Sequence, residues 1–237
     1  MKNVHQLGWF VVLIAALLLS LALSWFGLAA AHYGFERWYD IYDIGEHIDR
    51  YGPQNRFIRG LDSLDKAEHV LLFNAISEAV HHQGEGLKEI TFEYRGSTRP
   101  LLRQAEVVHL QDVANLIDVL RLVSVFFAVV VVGGTLLLRR HKPRWRIQGA
   151  LLGGLMSLSV LSIILIGPKQ VFYHLHEMIF PADHAWFFYY QDSLMATLMK
   201  APDLFGGIAL VIVMGGVILF GFYLLLLTGW QRRQGSQ

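Results

Sequence analysis

Four apolar runs, at 7–30, 116–138, 147–166 and 204–227, restrict this chain more than any other feature. A hydrocarbon layer of roughly 30 Å takes about 20 helical residues to cross, and each run has that length. The chain is 54% hydrophobic and 16% charged, too apolar for a water-soluble domain of 237 residues. The expected fold is an all-α integral membrane protein with four transmembrane helices, one membrane domain over 1–237. Between spans 1 and 2 it carries an extracytoplasmic domain of helices plus a β-hairpin. An even number of crossings puts both termini on the same side.

Charge decides which side that is. The segment 139–146 holds five Lys or Arg, the C-terminus adds Arg232 and Arg233, and the N-terminus adds Lys2. None of the 19 acidic residues falls in these segments, so the positive-inside rule makes them, and both termini, cytoplasmic. The connections 31–115 and 167–203 then lie outside. A net charge of +1 conceals this asymmetry and gives no reason to expect nucleic acid as a partner. Lys2, the long apolar stretch and Ala29-Ala30-Ala31 also fit a cleavable signal peptide. An apolar run of more than twenty residues exceeds a usual signal core, so an uncleaved anchor is expected. With no cysteine, the chain has no disulfide or thiol chemistry and is not itself a lipoprotein.

In the first outer segment, six of the twelve residues 32–43 are aromatic or histidine, which reads as a belt at headgroup level. Asp62-Ser63-Leu64-Asp65-Lys66 marks a helix start, and the apolar spacing carries that helix to about His82, with Gly84 and Gly86 beyond it. Residues 88–94 alternate in polarity, 95–98 read as a turn, and 99–103 form a second arm limited by Pro100. Arg95, Arg99 and Arg103 on this hairpin suit anionic headgroups. In span 3, Gly149, Gly153, Gly154, Ser157, Ser159 and Ser162 form a small-residue face expected to pack within the bundle.

Two stretches carry chemistry. In Glu106-Val107-Val108-His109-Leu110-Gln111-Asp112-Val113, the acids and the histidine are three residues apart and share a helix face. If that helix runs on into span 2, His109 sits about two turns before the apolar run, near the water–lipid boundary. Flanking carboxylates fix an imidazole's tautomer and raise its basicity. The second stretch, 171–188, is dense in histidine and aromatics and short enough to stay close to the bilayer. His174-x-His176 with Glu177 and His184 is the nearest thing to a metal pattern. Histidines two apart suit a strand better than a helix, and no ligand set with a sensible carboxylate emerges, so no metal is expected. There is no phosphate-binding Gly loop, Gly-x-Ser-x-Gly elbow or His-Glu-x-x-His helix.

Taken together, these elements resemble the bacterial lipoprotein intramolecular transacylases, the Lit family, over nearly the whole chain. The resemblance lies in the order of an apolar anchor, Tyr33-Gly34-Phe35, a Leu61-Asp62 helix and a hairpin. Glu106-x-x-His109-Leu110-x-Asp112-Val113, a basic inner loop, His176-x-x-x-Phe180, Trp186 and a last span complete it. It implies catalytic histidines at His109 and His176, with Glu106, Asp112 and Trp186 positioning substrate, and no cofactor. It also implies a multi-pass protein of the bacterial cytoplasmic membrane whose active site faces outward. Its substrates would be diacylglyceryl-modified lipoproteins, met in membrane lipid. Here the acyl chain at the central glycerol carbon of an S-diacylglyceryl cysteine moves to the cysteine α-amine, leaving a lyso-form lipoprotein. The chain departs from the family pattern in Leu175, where an aromatic is usual, and in His174, which competes with His176.

Two other classes fit the same residues. A haem-binding four-helix protein would use facing histidines as axial ligands, yet no histidine falls at mid-membrane. A non-enzymatic membrane assembly or binding factor would act through the outer domain. Dependence of the phenotype on His109 and His176 separates it from an enzyme.

Overall fold

The structure, a computed structural model, describes residues 2–234. The expected domain over 1–237 also includes residues 1 and 235–237, which lie outside the described residues. The chain is mostly helical: α1 Lys2–Ala29, α2 Phe35–Ile41, α3 Ile44–Tyr51, α4 Lys66–His81, then β1 Thr91–Tyr94 and β2 Ser97–Pro100. There follow α5 Gln104–Leu137, α6 Trp145–Ile166, α7 Pro168–Ile179, α8 Leu194–Met199 and α9 Asp203–Gln234. Among the described residues, α1, α5, α6 and α9 are long and apolar enough to cross a membrane. Two compact units make up the chain. The first comprises Met1–Trp25, Leu120–Met178 and Ile212–Gln237, the second Phe26–Val119 and Ile179–Val211.

In the first unit, Trp9, Val12 and Leu13 of α1 pack with Leu227 of α9, and Ala15 and Ala16 with Val131 of α5. Glycine permits the close contact between α1 and α9. A Cβ at Gly216 would lie 2.5 Å from the Leu21 side chain, a separation real atoms do not tolerate. Replacing Gly216 by Leu should therefore destabilise the fold by about 1–3 kcal/mol through overpacking. Gly221→Ala, whose Cβ meets nothing within 4 Å, is the control. Equal melting temperatures for the two variants in detergent would refute this packing. The basic loop is tied to the start of α1. Trp9 Nε1 donates to the His141 carbonyl at 2.5 Å, Gln148 Nε2 to the Gln6 carbonyl at 2.9 Å, and the Arg144 amide to Gln6 Oε1 at 2.8 Å.

The small-residue face of α6 departs from expectation. A Cβ at Gly149, Gly153 or Gly154 would meet nothing within 4 Å, and Ser159 and Ser162 donate to carbonyls of their own helix at Leu155 and Leu158. Serines satisfied within the helix need no neighbour, and close packing is carried instead by the glycines of α9.

The second unit is built on aromatic packing. Phe35 stacks on Phe73 at 3.9 Å between centroids, and both are buried. The His69 ring, also buried, bridges two elements: its Nε2 bonds the Leu61 carbonyl at 2.8 Å and its Nδ1 the Tyr39 hydroxyl at 2.8 Å. A carbonyl only accepts, so Nε2 carries the proton and Tyr39 donates to Nδ1. Residues 32–43 are accordingly not simply a headgroup belt. Phe35 and Tyr39 face the core, where one side of α2 must bury its rings.

Helix α4 starts later than Asp62. Asp65 is its N-cap and exchanges hydrogen bonds with Glu68, a capping box, while 61–63 form a 3₁₀ turn. The hairpin is also tighter than expected. Arg95 and Gly96 both have positive φ, 52° and 73°, so they alone make the turn, and Ser97 and Thr98 belong to β2. Such two-residue turns match the twist of the strands they join.

His47 is nearly buried between Tyr51 and Tyr190. Burial, then the positive charge of Lys200, lowers its pKa from 6.5 to about 4, partly opposed by Asp203. The unfolded chain takes up this proton near pH 6.5, the folded chain only near 4. Stability present above pH 6.5 should thus fall as pH drops through that window, by about 3 kcal/mol in all. Melting curves at pH 7.5 and 4.5 should show a smaller acid loss for His47→Phe than for the native chain; equal losses would refute the assignment.

Candidate functional site

The site residues of the second unit gather on the first turns of α5. Arg103 precedes the helix, and Glu106 reaches back so that its Oε2 accepts the Arg103 amide at 2.6 Å, one half of a capping box. Glu106 is fully buried, and its Oε1 accepts the Ser193 hydroxyl at 2.5 Å. Ser193 is itself the N-cap of α8, accepting the Ala196 amide at 2.8 Å. One carboxylate thus joins the beginnings of two helices. One turn on, the His109 ring lies 5.0 Å from Phe180 and 5.9 Å from Phe188, centroid to centroid. Another turn on, Asp112 Oδ2 meets His184 Nδ1 at 2.6 Å. All three residues of the expected helix face therefore meet the segment 180–193.

That segment is shaped by its own sequence. Pro181 disfavours further helix after Ile179, and the His184 amide donates to the Pro181 carbonyl at 3.1 Å to close a turn. From there to Tyr190 the chain alternates. His184, Trp186, Phe188 and Tyr190 are half-buried, while Ala185, Phe187 and Tyr189 are exposed. Trp186 consequently lies on the same side as His184 and Phe188. Arg56 anchors the far end with two 2.6 Å bonds to Asp192.

The second expected histidine belongs to the first unit. His176 is half-buried on α7, and its Nδ1 donates to the Phe172 carbonyl at 2.8 Å, leaving Nε2 as the basic nitrogen. Burial lowers its pKa, and the bond to Phe172 partly opposes that. His174 lies on the same helix rather than on a strand. Two residues on a helix turn about 200°, so it points elsewhere, is exposed and pairs with Glu177 at 3.6 Å.

His184 is the residue that sequence reasoning missed as a partner of Asp112. Seventy-two positions separate the two, and no local pattern connects them. The Asp112 carboxylate, by accepting its proton, raises the His184 pKa. The second unit therefore presents one imidazole packed against aromatic rings and another favoured in its charged form. Such a set can take up and give up protons.

Four helices able to cross a membrane among the described residues, one of them starting with a histidine between two carboxylates, define a polytopic membrane protein with acid–base capacity. The sequence profile of the lipoprotein intramolecular transacylase Lit matches residues 76–201, more than half of the chain. The chain belongs to the Lit family, whose members are membrane-integral transacylases. An in meso structure of the membrane integral lipoprotein intramolecular transacylase Lit from Bacillus cereus has a TM-score of 0.64 at 17% identity. The match covers 98% of this chain and 100% of that one. A form of the same enzyme with one histidine replaced by alanine has a TM-score of 0.69 at 15% identity, covering 100% of this chain and 96% of that one. At such identities the likeness speaks to the fold. No curated protein sequence matches the chain.

Proposed function

We propose that this enzyme moves the acyl chain at the central glycerol carbon of an S-diacylglyceryl N-terminal cysteine to the cysteine α-amine, producing lyso-form lipoproteins. The observation that carries this is the α5 face, where His109 packs against Phe180 and Phe188 and Asp112 holds His184. The amine nitrogen bonds to the ester carbonyl carbon, the tetrahedral oxyanion collapses, and the carbon–oxygen bond to glycerol breaks. His109 takes the amine proton as general base, and a second imidazole holds the oxyanion and protonates the departing glycerol oxygen. His176 is the catalytic partner by family pattern; it fills that role once Nε2 has taken up a proton, with Nδ1–H still held on the Phe172 carbonyl. Trp186 lines the acyl path, and Glu106 and Asp112 position the helix and its neighbours. Donor and acceptor belong to one substrate, so the site need only hold the two chains in place.

A second assignment is favoured by the Asp112–His184 bond: His184, rather than His176, is the acid. Its raised pKa provides the proton that the leaving oxygen needs.

The basic segments 139–146 and 232–233 support a reading with both termini in the cytoplasm and the site on the outer face of the bacterial inner membrane. On this reading the spans are 7–30, 116–138, 147–166 and 204–227, and 31–115 and 167–203 are extracytoplasmic.

The test is mass spectrometry of the N-terminal lipopeptide from a model lipoprotein expressed with the native chain, His176→Ala and His184→Ala. The native chain should yield N-acyl, S-monoacylglyceryl cysteine. The variant that leaves the diacylglyceryl form identifies the acid, and a diacylglyceryl product from the folded native chain would overturn the reading.

A further inference from the structure

Between α4 and β1, within the second unit, runs an open groove of about 760 Å³. Its floor includes Leu71, Leu72 and Phe92, and Leu71 is 66% exposed. One wall is a free strand edge. The two-residue turn makes Tyr94 and Ser97 a hydrogen-bonded pair, and the pattern repeats at Phe92 and Arg99, so Phe92 and Tyr94 direct their backbone groups toward β2. Ile90 continues the alternation, accepting the Leu101 amide at 2.9 Å. Thr91 and Glu93 face the other way, and both line the groove. Around it stand Glu68, Glu78, Glu85, Glu89 and Glu93, with no Lys or Arg among the described lining residues.

We propose that this groove docks an extended, lysine-bearing polypeptide segment of the lipoprotein client, which adds to β1 as a third strand. The client's identity rests on the transacylase reading above. Backbone pairing along the edge provides affinity, apolar side chains on one face of the added strand settle on Leu71 and Phe92, and lysines meet the glutamates. The same carboxylates repel an anionic lipid surface, which argues for a peptide occupant. The groove also ends beside the reacting face. Gln83, next to the lining residue His82, accepts from Gln111 Nε2 at 2.9 Å, and Gln111 directly precedes Asp112 on α5.

The experiment uses the full chain in nanodiscs of zwitterionic lipid and a fluorescent hexapeptide alternating Val and Lys, read by anisotropy. Expected is saturable binding, at least about tenfold weaker for the Val/Glu counterpart at low salt. N-methylation of alternate residues should abolish binding in one register and spare it in the other, because only one set of amides faces β1. The Glu85→Gln, Glu89→Gln, Glu93→Gln triple variant, which keeps the capping Glu68, should bind at least about fivefold more weakly. That gap should close near 1 M salt, where the screening length is about 3 Å. Equal binding of the Lys and Glu peptides, or full binding by both methylated forms, would overturn the groove. A second arm measures transfer on model lipoproteins carrying Lys or Glu after the modified cysteine. A higher KM for the Glu client at unchanged kcat supports the client assignment, and equal KM values overturn it. Peptide binding without product from either client overturns the client assignment together with the transacylase reading and leaves the groove standing.

Discussion

Replacing His109 by Ala should lower the rate of acyl transfer by roughly 10²–10⁴-fold, the usual contribution of a positioned general base. The melting temperature should stay close to that of the native chain. The His109 ring packs edge-on to Phe180 at 5.0 Å and is only partly buried, so its removal takes away a proton acceptor and little packing. The measurement is single-turnover conversion of a diacylglyceryl lipopeptide, with product separated by mass. Turnover within tenfold of the native rate would remove His109 from the mechanism. A large fall in melting temperature would assign it to the fold instead.

Glu106→Ala should have the opposite signature. This carboxylate is fully buried and accepts from both Ser193 and the Arg103 backbone. Its loss strands a buried hydroxyl and a helix-terminal amide at once, at a cost of about 3 kcal/mol. For a chain of this size that corresponds to a fall of roughly 6–12 °C in melting temperature. Glu106→Gln keeps the shape and an acceptor oxygen and should recover most of the loss. A stable Glu106→Ala protein with no turnover would instead mean that the carboxylate acts on substrate.

These contrasting signatures come from residues one helical turn apart, and sequence spacing alone did not tell them apart. Spacing showed that Glu106, His109 and Asp112 share a face. What covers each of them depends on the segment 180–193, which the chain delivers from far away. The histidines illustrate the same limit. His69 locks Tyr39 to the Leu61 carbonyl and His81 meets the Tyr33 hydroxyl at 2.7 Å, contacts that helix spacing does not announce. Conversely, the small-residue face of α6 looked like a packing surface, and the close contacts formed at α9 instead. Small side chains permit close approach without requiring it.

The sequence by itself determined the four apolar helices, the hairpin, the absence of thiol chemistry and the acid–histidine–acid face of α5. Apolar length, alternation and i, i+3 spacing are local properties, and a helix converts them directly into a face. Only the tertiary structure decided that Glu106 is a buried clasp to Ser193, 87 positions away, and that Asp112 belongs to His184. Hydrogen bonds between distant residues leave no periodic trace in the chain, because they depend on where two unrelated segments are brought to rest.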